Sequence, residues 1–104
     1  MSRTLLTADQ LQDGVRGLDP GWSVAGNALT RTVEFDSFLT AVRFIGELAP
    51  VAERLDHHPD LRLSWRTVEL SLSTHSAGGL TALDLELGRE LDAIIDRVSR
   101  PAQR

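Results

Sequence analysis

At Pro59 the apolar period of the chain changes, and that change constrains the fold more than any other feature. Ahead of it, starting at Phe38, apolar residues at Ala41, Val42, Ile45, Leu48, Ala49, Ala52 and Leu55 recur at helical spacing. Behind it, Leu61, Leu63 and Trp65, then Val68, Leu70 and Leu72, alternate with polar residues. A period near 3.6 buries one side of a helix and a period of two buries one face of a strand. A helix must therefore give way to a strand pair within "LDHHPD", residues 55–60.

The same succession occurs upstream. Thr7 followed by Gln10 predicts a capping box for a helix carrying Leu11, Val15 and Leu18, stopped by Gly17 and the "DPG" at 19–21. In "GWSVAGNALTRTVEF" two strand-like runs flank Gly26-Asn27, which predicts a hairpin. Asp36 is placed to cap the second helix, and Pro50 is expected to kink or break it near residue 46, because proline removes an intrahelical hydrogen bond. The last helix begins at "GGLTALD", with Thr81 as cap, Asp84 at the third helical position, and Leu83, Leu87, Leu91, Ile94 and Val98 on the buried side. The order α-β-β-α-β-β-α points to an α+β fold, a four-stranded antiparallel sheet with three helices on one face. At 104 residues the chain fits one domain, 1–104, with the tail 99–104 expected to fray.

Composition removes several chemistries. There is no cysteine, hence no thiol nucleophile, disulfide or cysteine zinc site, and all eleven Lys-plus-Arg positions are arginine, hence no Schiff-base or phosphate-loop lysine. A formal net charge of −4 without a basic cluster argues against direct nucleic-acid binding. The sequence offers no membrane span or secretory signal, and with the lack of cysteine this leads to an expected cytoplasmic location.

Two of the three histidines, His57 and His58, stand together before Pro59, and the third is His75. A tight turn at Arg66-Thr67 would set His58 opposite His75, bringing the trio to the open end of the second hairpin. His75 falls on the polar side of its strand with Glu69, Ser71 and Ser73 and should be accessible. A residue before proline is pushed out of the helical region, so His57 closes the helix and His58 is extended. Converging imidazoles suit a reaction needing an acid and a base near neutral pH. Metal binding, with Glu53, Asp56 and Asp60 as extra ligands, matches no familiar spacing. The plain alternative is that each histidine merely ends an element.

The residues Glu53, His57-His58-Pro59, Trp65, His75 and Asp84, with "GW" at 21–22 and "STHSAGGLT" at 73–81, resemble the signature of the pterin-4a-carbinolamine dehydratases. The resemblance runs from about Leu11 to Ile95. It implies dehydration of 4a-hydroxytetrahydrobiopterin to quinonoid dihydropterin, recycling the cofactor of aromatic amino acid hydroxylases without any metal or bound cofactor. It further implies proton transfer by His57 and His75, and binding of the pterin ring by His58 with Glu53, Pro59, Trp65, Ser73 and Thr74 around it. Glu53, one helical turn before His57, could orient that ring. Asp84 and Thr81 are expected to support the site as a helix cap. Leu61 departs from the family pattern, standing where many members carry tryptophan. Family members are dimers or tetramers, so a homodimer or homotetramer is expected. The competing functions are a dimerisation or regulatory module, since animal members also partner a transcription factor, and a relative acting on a different pterin.

Overall fold

The computed structural model describes residues 3–99. Its elements are α1 (Ala8–Arg16), β1 (Ser23–Ala25), β2 (Ala28–Glu34), α2 (Phe38–Leu55), β3 (Asp60–Ser64), β4 (Thr67–Leu72) and α3 (Ala82–Ser99), with a 3₁₀ turn at His75–Ala77 ahead of α3. The strands form one antiparallel sheet in the order β1-β2-β4-β3. Ser99 still belongs to α3, and the rest of the tail expected to fray lies outside the described residues.

Alternation along β2 and β4 separates the two faces of the sheet. Leu29, Val33, Val68, Leu70 and Leu72 turn inward and are buried, whereas Thr30, Thr32, Glu69 and Ser71 face away from the helices. α3 buries Leu83, Leu87, Leu91, Ile94 and Val98, as the sequence pattern predicts, and the last four join the core with the inner face of the sheet. The buried stripe of α2 is Ala41, Phe44, Leu48 and Ala52, while Val42 and Ala49 are exposed. α2 packs on α3 and β4, and Ile45, Val51 and Leu55 are half-buried against the core beside that stripe. Phe44 stacks on Phe35 with ring centroids 5.2 Å apart.

The capping box of α1 is formed in both directions: Gln10 N–H donates to Thr7 Oγ1 at 3.1 Å and Thr7 N–H to Gln10 Oε1 at 2.9 Å. α1 fully buries no residue and fits onto α3 at Gly14, where a side chain would meet Leu85 Cδ1 at 2.2 Å. The N-terminal strand segment is tied to the start of α3 by an isolated bridge between Leu5 and Thr81 and by Leu6 N–H donating to Leu80 O at 2.9 Å. Asp19, Trp22 and Arg31 are gathered by Asp92, whose carboxylate accepts from Asp19 N–H, from Trp22 Nε1 at 2.6 Å and from Arg31 Nη1 at 2.5 Å.

Two expectations for α2 are corrected. Its cap is Ser37, not Asp36: the helix starts at Phe38, so Ser37 is the residue whose Oγ reaches Thr40 N–H, at 3.1 Å. Nor does Pro50 break the helix, which runs continuously to Leu55. Pro50 and Gly46, the residue one turn earlier whose carbonyl loses its partner, both lie on the exposed side, where water can satisfy that oxygen.

The first hairpin turns at Gly26-Asn27 as expected, with Gly26 at φ +60°. The second turns one residue earlier than expected, at Trp65-Arg66, so Ser64 pairs with Thr67. Trp65 takes φ +53°, a conformation that ordinarily costs a bulky residue about 1–2 kcal/mol. Two contacts favour it: Arg66 O accepts from Phe35 N–H at 2.8 Å, and the Arg66 guanidinium lies over the Trp65 ring at 4.5 Å.

Candidate functional site

The position of His57 follows from how α2 ends. Asp56 adopts the left-handed conformation (φ 50°, ψ 45°), its N–H donates to Glu53 O at 3.1 Å, and His57 N–H reaches back to Ala52 O at 3.0 Å. This is a Schellman ending, in which the residue after the left-handed one folds back over the last turn. His57 is thereby turned inward beside Ala52 and is only 5% exposed. Pro59 then forbids any return to helix before β3.

Inside, His57 Nε2 lies 2.7 Å from Asp84 Oδ1. Asp84 is fully buried, and its second oxygen accepts from Thr81 N–H at 2.9 Å and from Thr74 Oγ1 at 2.8 Å. Each hydroxyl has one proton, which sets the direction of the chain. Thr74 spends its proton on Asp84, so the 2.7 Å contact between the two threonines has Thr81 donating to Thr74, and Thr81 in turn accepts from Leu83 N–H at 3.2 Å. A carboxylate only accepts, so Nε2 of His57 carries the proton and Nδ1 is the nitrogen left for other partners.

The other histidines are exposed. His58 Nε2 lies 2.5 Å from Glu53 Oε2 at the end of α2. His75 opens the 3₁₀ turn after Thr74, with Nε2 3.8 Å from Asp60 Oδ2. His75 borders a cleft of about 300 Å³ with Asn27, Asp60, Ser71, Ser73 and Gly78. Gly78 closes that turn at φ +77°, as a chain reversing into α3 requires. Ser73 Oγ donates to Asn27 O at 2.7 Å, fastening this wall to the first hairpin. Among the described residues, no group of three His, Asp or Glu could hold a metal ion. No helix there is long and apolar enough to cross a membrane.

The expected site residues thus separate into three groups. His75 and Ser73 share the cleft; His57, Thr74, Thr81 and Asp84 share the buried network; His58 and Glu53 form an exposed pair beside the half-buried Pro59. The pairing of His58 opposite His75 does not occur: the ladder ends with Asp60 opposite Ser71, because the turn falls one residue earlier and β4 stops at Leu72. Glu53 holds His58 and not His57, since the Schellman ending turns His57 away from the exposed side of α2. Trp65 sits at the far tip of the β3–β4 hairpin, about 16 Å of strand from Asp60, and does not line the His75 cleft. Sequence reasoning gave Asp84 its helix-cap role, which is present, and missed that its other oxygen holds His57. It also named Asp60 only as a metal ligand, whereas it pairs with His75. The signal for Asp84 was its capping geometry, which leaves one carboxylate oxygen free.

The family model for pterin 4 alpha carbinolamine dehydratase matches residues 4–94. The chain belongs to this family. A relative from Nocardia farcinica named "Putative pterin-4-alpha-carbinolamine dehydratase" is 43% identical over 94 residues, covering 90% of this chain and 98% of its own. One of the same name from Mycobacteroides abscessus is 47% identical over 93 residues, covering 89% and 98%. Among solved structures, the transcriptional coactivator/pterin dehydratase from Brucella melitensis superposes with a TM-score of 0.81 at 41% identity, covering 86% of this chain and 96% of that one. A pterin dehydratase-like RuBisCO assembly factor of the alpha-carboxysome shares the fold, with a TM-score of 0.58 at 19% identity over 70% of this chain and 84% of that one.

Proposed function

We propose that this pterin dehydratase family member removes water from a 4a-hydroxytetrahydropterin to give the quinonoid dihydropterin, by acid and base catalysis on imidazoles, and so returns the pterin of aromatic amino acid hydroxylases to use. The C4a–O bond breaks as the hydroxyl takes a proton and leaves as water, N5 gives up its proton, and the C4a=N5 double bond forms. Hydroxide leaves poorly unless protonated and N5 needs a base, so an acid and a base are required together. The observation that carries this reading is the hydrogen-bonded chain from His57 through Asp84 to Thr74, the residue immediately before His75. One imidazole is held in a fixed tautomer, and the other stands accessible in the cleft. In this reading His57 and His75 move the protons, and Asp84 orients His57 without touching substrate. His58, held by Glu53 beside Pro59, binds and orients the ring at the rim, Ser73 lines the cleft with His75, and Thr74 supports the site from within the buried network. No metal is required, and the unpaired edges of β1 and β3 support assembly as a homodimer or homotetramer.

A second reading is favoured by Phe38, Leu39 and Val42, which are exposed at the start of α2, and by the coactivator name of the Brucella relative: a protein-binding module of the same fold. One experiment separates the two. Dehydration of chemically generated 4a-hydroxytetrahydropterin is followed by ultraviolet absorbance under metal-free conditions for wild type and His75→Ala. The enzyme reading expects acceleration by wild type and a loss of about 10²-fold or more in a folded His75→Ala variant. A well-folded wild type without acceleration rejects the activity and leaves the binding module.

A further inference from the structure

The peptide unit that turns His57 inward is held from outside α2 as well as from within it. The Asp56 carbonyl and the His57 N–H belong to one rigid plane. Its N–H side donates to Ala52 O at 3.0 Å, and its C=O side accepts from Arg3 Nη2 at 3.1 Å. The same guanidinium nitrogen lies 3.8 Å from Asp56 Oδ2, but that carboxylate side chain is 91% exposed, where water and salt screen an ion pair. The carbonyl contact is therefore the one with structural consequence. It also sets a positive charge at the C-terminal end of α2, where the helix dipole is negative.

A few residues further on, the same segment grips the other half of the buried pair. Leu5 bridges Thr81, and Leu6 N–H donates to Leu80 O at 2.9 Å, just ahead of the Thr81 N–H that donates to Asp84 Oδ2. An extended chain covers at most about 11 Å from Arg3 to Leu6, so one short strap touches both the peptide before His57 and the backbone that fixes Asp84.

We propose that Arg3 is a positioning residue for His57: it fixes the Asp56–His57 peptide plane while Leu5 and Leu6 hold the start of α3, and so keeps the imidazole on Asp84 in a single tautomer. The kinetic consequence rests on the dehydratase reading above; the hold on His57 does not. Arg3 does not line the His75 cleft, so its loss should appear in kcat and not in KM.

The test compares the full chain with its Arg3→Ala, Arg3→Lys and Asp56→Asn variants, each checked for fold by circular dichroism. His57 is buried on Asp84 while His58 and His75 are exposed, so its Nε2 proton should give the slowly exchanging imidazole signal in proton–nitrogen correlation spectra. Arg3→Ala is expected to speed exchange of that proton with water about fivefold, the worth of one hydrogen bond, and to lower kcat on 4a-hydroxytetrahydropterin by a similar factor while KM stays within about twofold. Arg3→Lys, which keeps a charged donor on a long side chain, should recover most of both. Asp56→Asn removes the exposed carboxylate, keeps the carbonyl and tolerates the left-handed conformation, so it should behave as wild type. An unchanged His57 signal in a folded Arg3→Ala variant overturns the proposal. A loss in Asp56→Asn as large as in Arg3→Ala overturns it as well, because the contact would then be a surface ion pair. A wild type without turnover, whose His57 signal still responds to Arg3→Ala, removes the dehydratase reading and leaves the hold of Arg3 on His57 standing.

Discussion

His57 and His58 follow each other along the chain and both set Nε2 against a carboxylate, yet one pair is enclosed by the core and the other stands in solvent. The His57 and Asp84 side chains are 5% and 0% exposed, those of His58 and Glu53 55% and 75%. In the buried pair the second oxygen of Asp84 accepts from a backbone N–H fixed at the start of α3 and from another buried side chain. In the exposed pair water competes for each atom, and salt screens the attraction. The same pairing of imidazole with carboxylate therefore fixes geometry in one place and binds loosely in the other. The proposed roles match these settings: a ring that must keep one tautomer suits the first, and a ring that must adjust to an arriving substrate suits the second.

Substituting Asp84 should break this comparison most severely. Asp84→Ala leaves His57, Thr74 and Thr81 without their acceptor and should lower unfolding stability by about 3–5 kcal/mol in urea titration. A loss below about 1 kcal/mol would put the buried pair on the same footing as the exposed one. Thr74→Val keeps the volume and deletes one donor, with an expected loss of about 1–2 kcal/mol in the same titration and a lower kcat from the loosened His57. Glu53→Gln should change stability by no more than about 0.5 kcal/mol and raise KM for pterin a few-fold with little change in kcat. A large fall in kcat would instead give Glu53 a part in the chemistry.

The smallest effect concerns a surface pair on α2 and α3. Hydrogen bonds from Arg97 and then Arg43 hold the Glu47 carboxyl below its usual range. A depressed carboxylate stabilises the fold above its unfolded pKa, and the contribution disappears as pH falls through the folded value. Glu47→Gln should accordingly lower Tm slightly at neutral pH and match wild type in strong acid, as thermal melts across that range would measure.

The parts of this fold legible in the sequence are those governed by neighbours along the chain. The caps at Thr7 and Thr81, the turn at Gly26-Asn27 and the buried faces of β4 and α3 each depend on residues within a few positions of one another. Register failed because it depended on a turn with Trp65 at positive φ, against ordinary turn preferences, held by Arg66 and by a backbone bond from Phe35. Pro50 misled because its cost depends on whether the freed carbonyl meets water, and helical periodicity does not say which side is wet when the buried stripe is narrow. Positions of the candidate residues were less legible than the elements that carry them. The separation of His57 and Asp84 from His75, one pair in a buried network and the other residue at an open cleft, required the Schellman ending at Asp56, a left-handed residue that is neither glycine nor asparagine.

The bridge between Leu5 and Thr81 gives the buried network a clock. α1 buries no residue fully, so the N-terminal segment is expected to open early in native-state hydrogen exchange. Each opening strips the cover from Leu80 and Thr81 and lets water approach the donors that hold Asp84. In the proposed reading, the exchange rate of the Leu6 amide is expected to track how often water reaches the Thr81 donor of Asp84, which ties the order around His57 to the N-terminal segment.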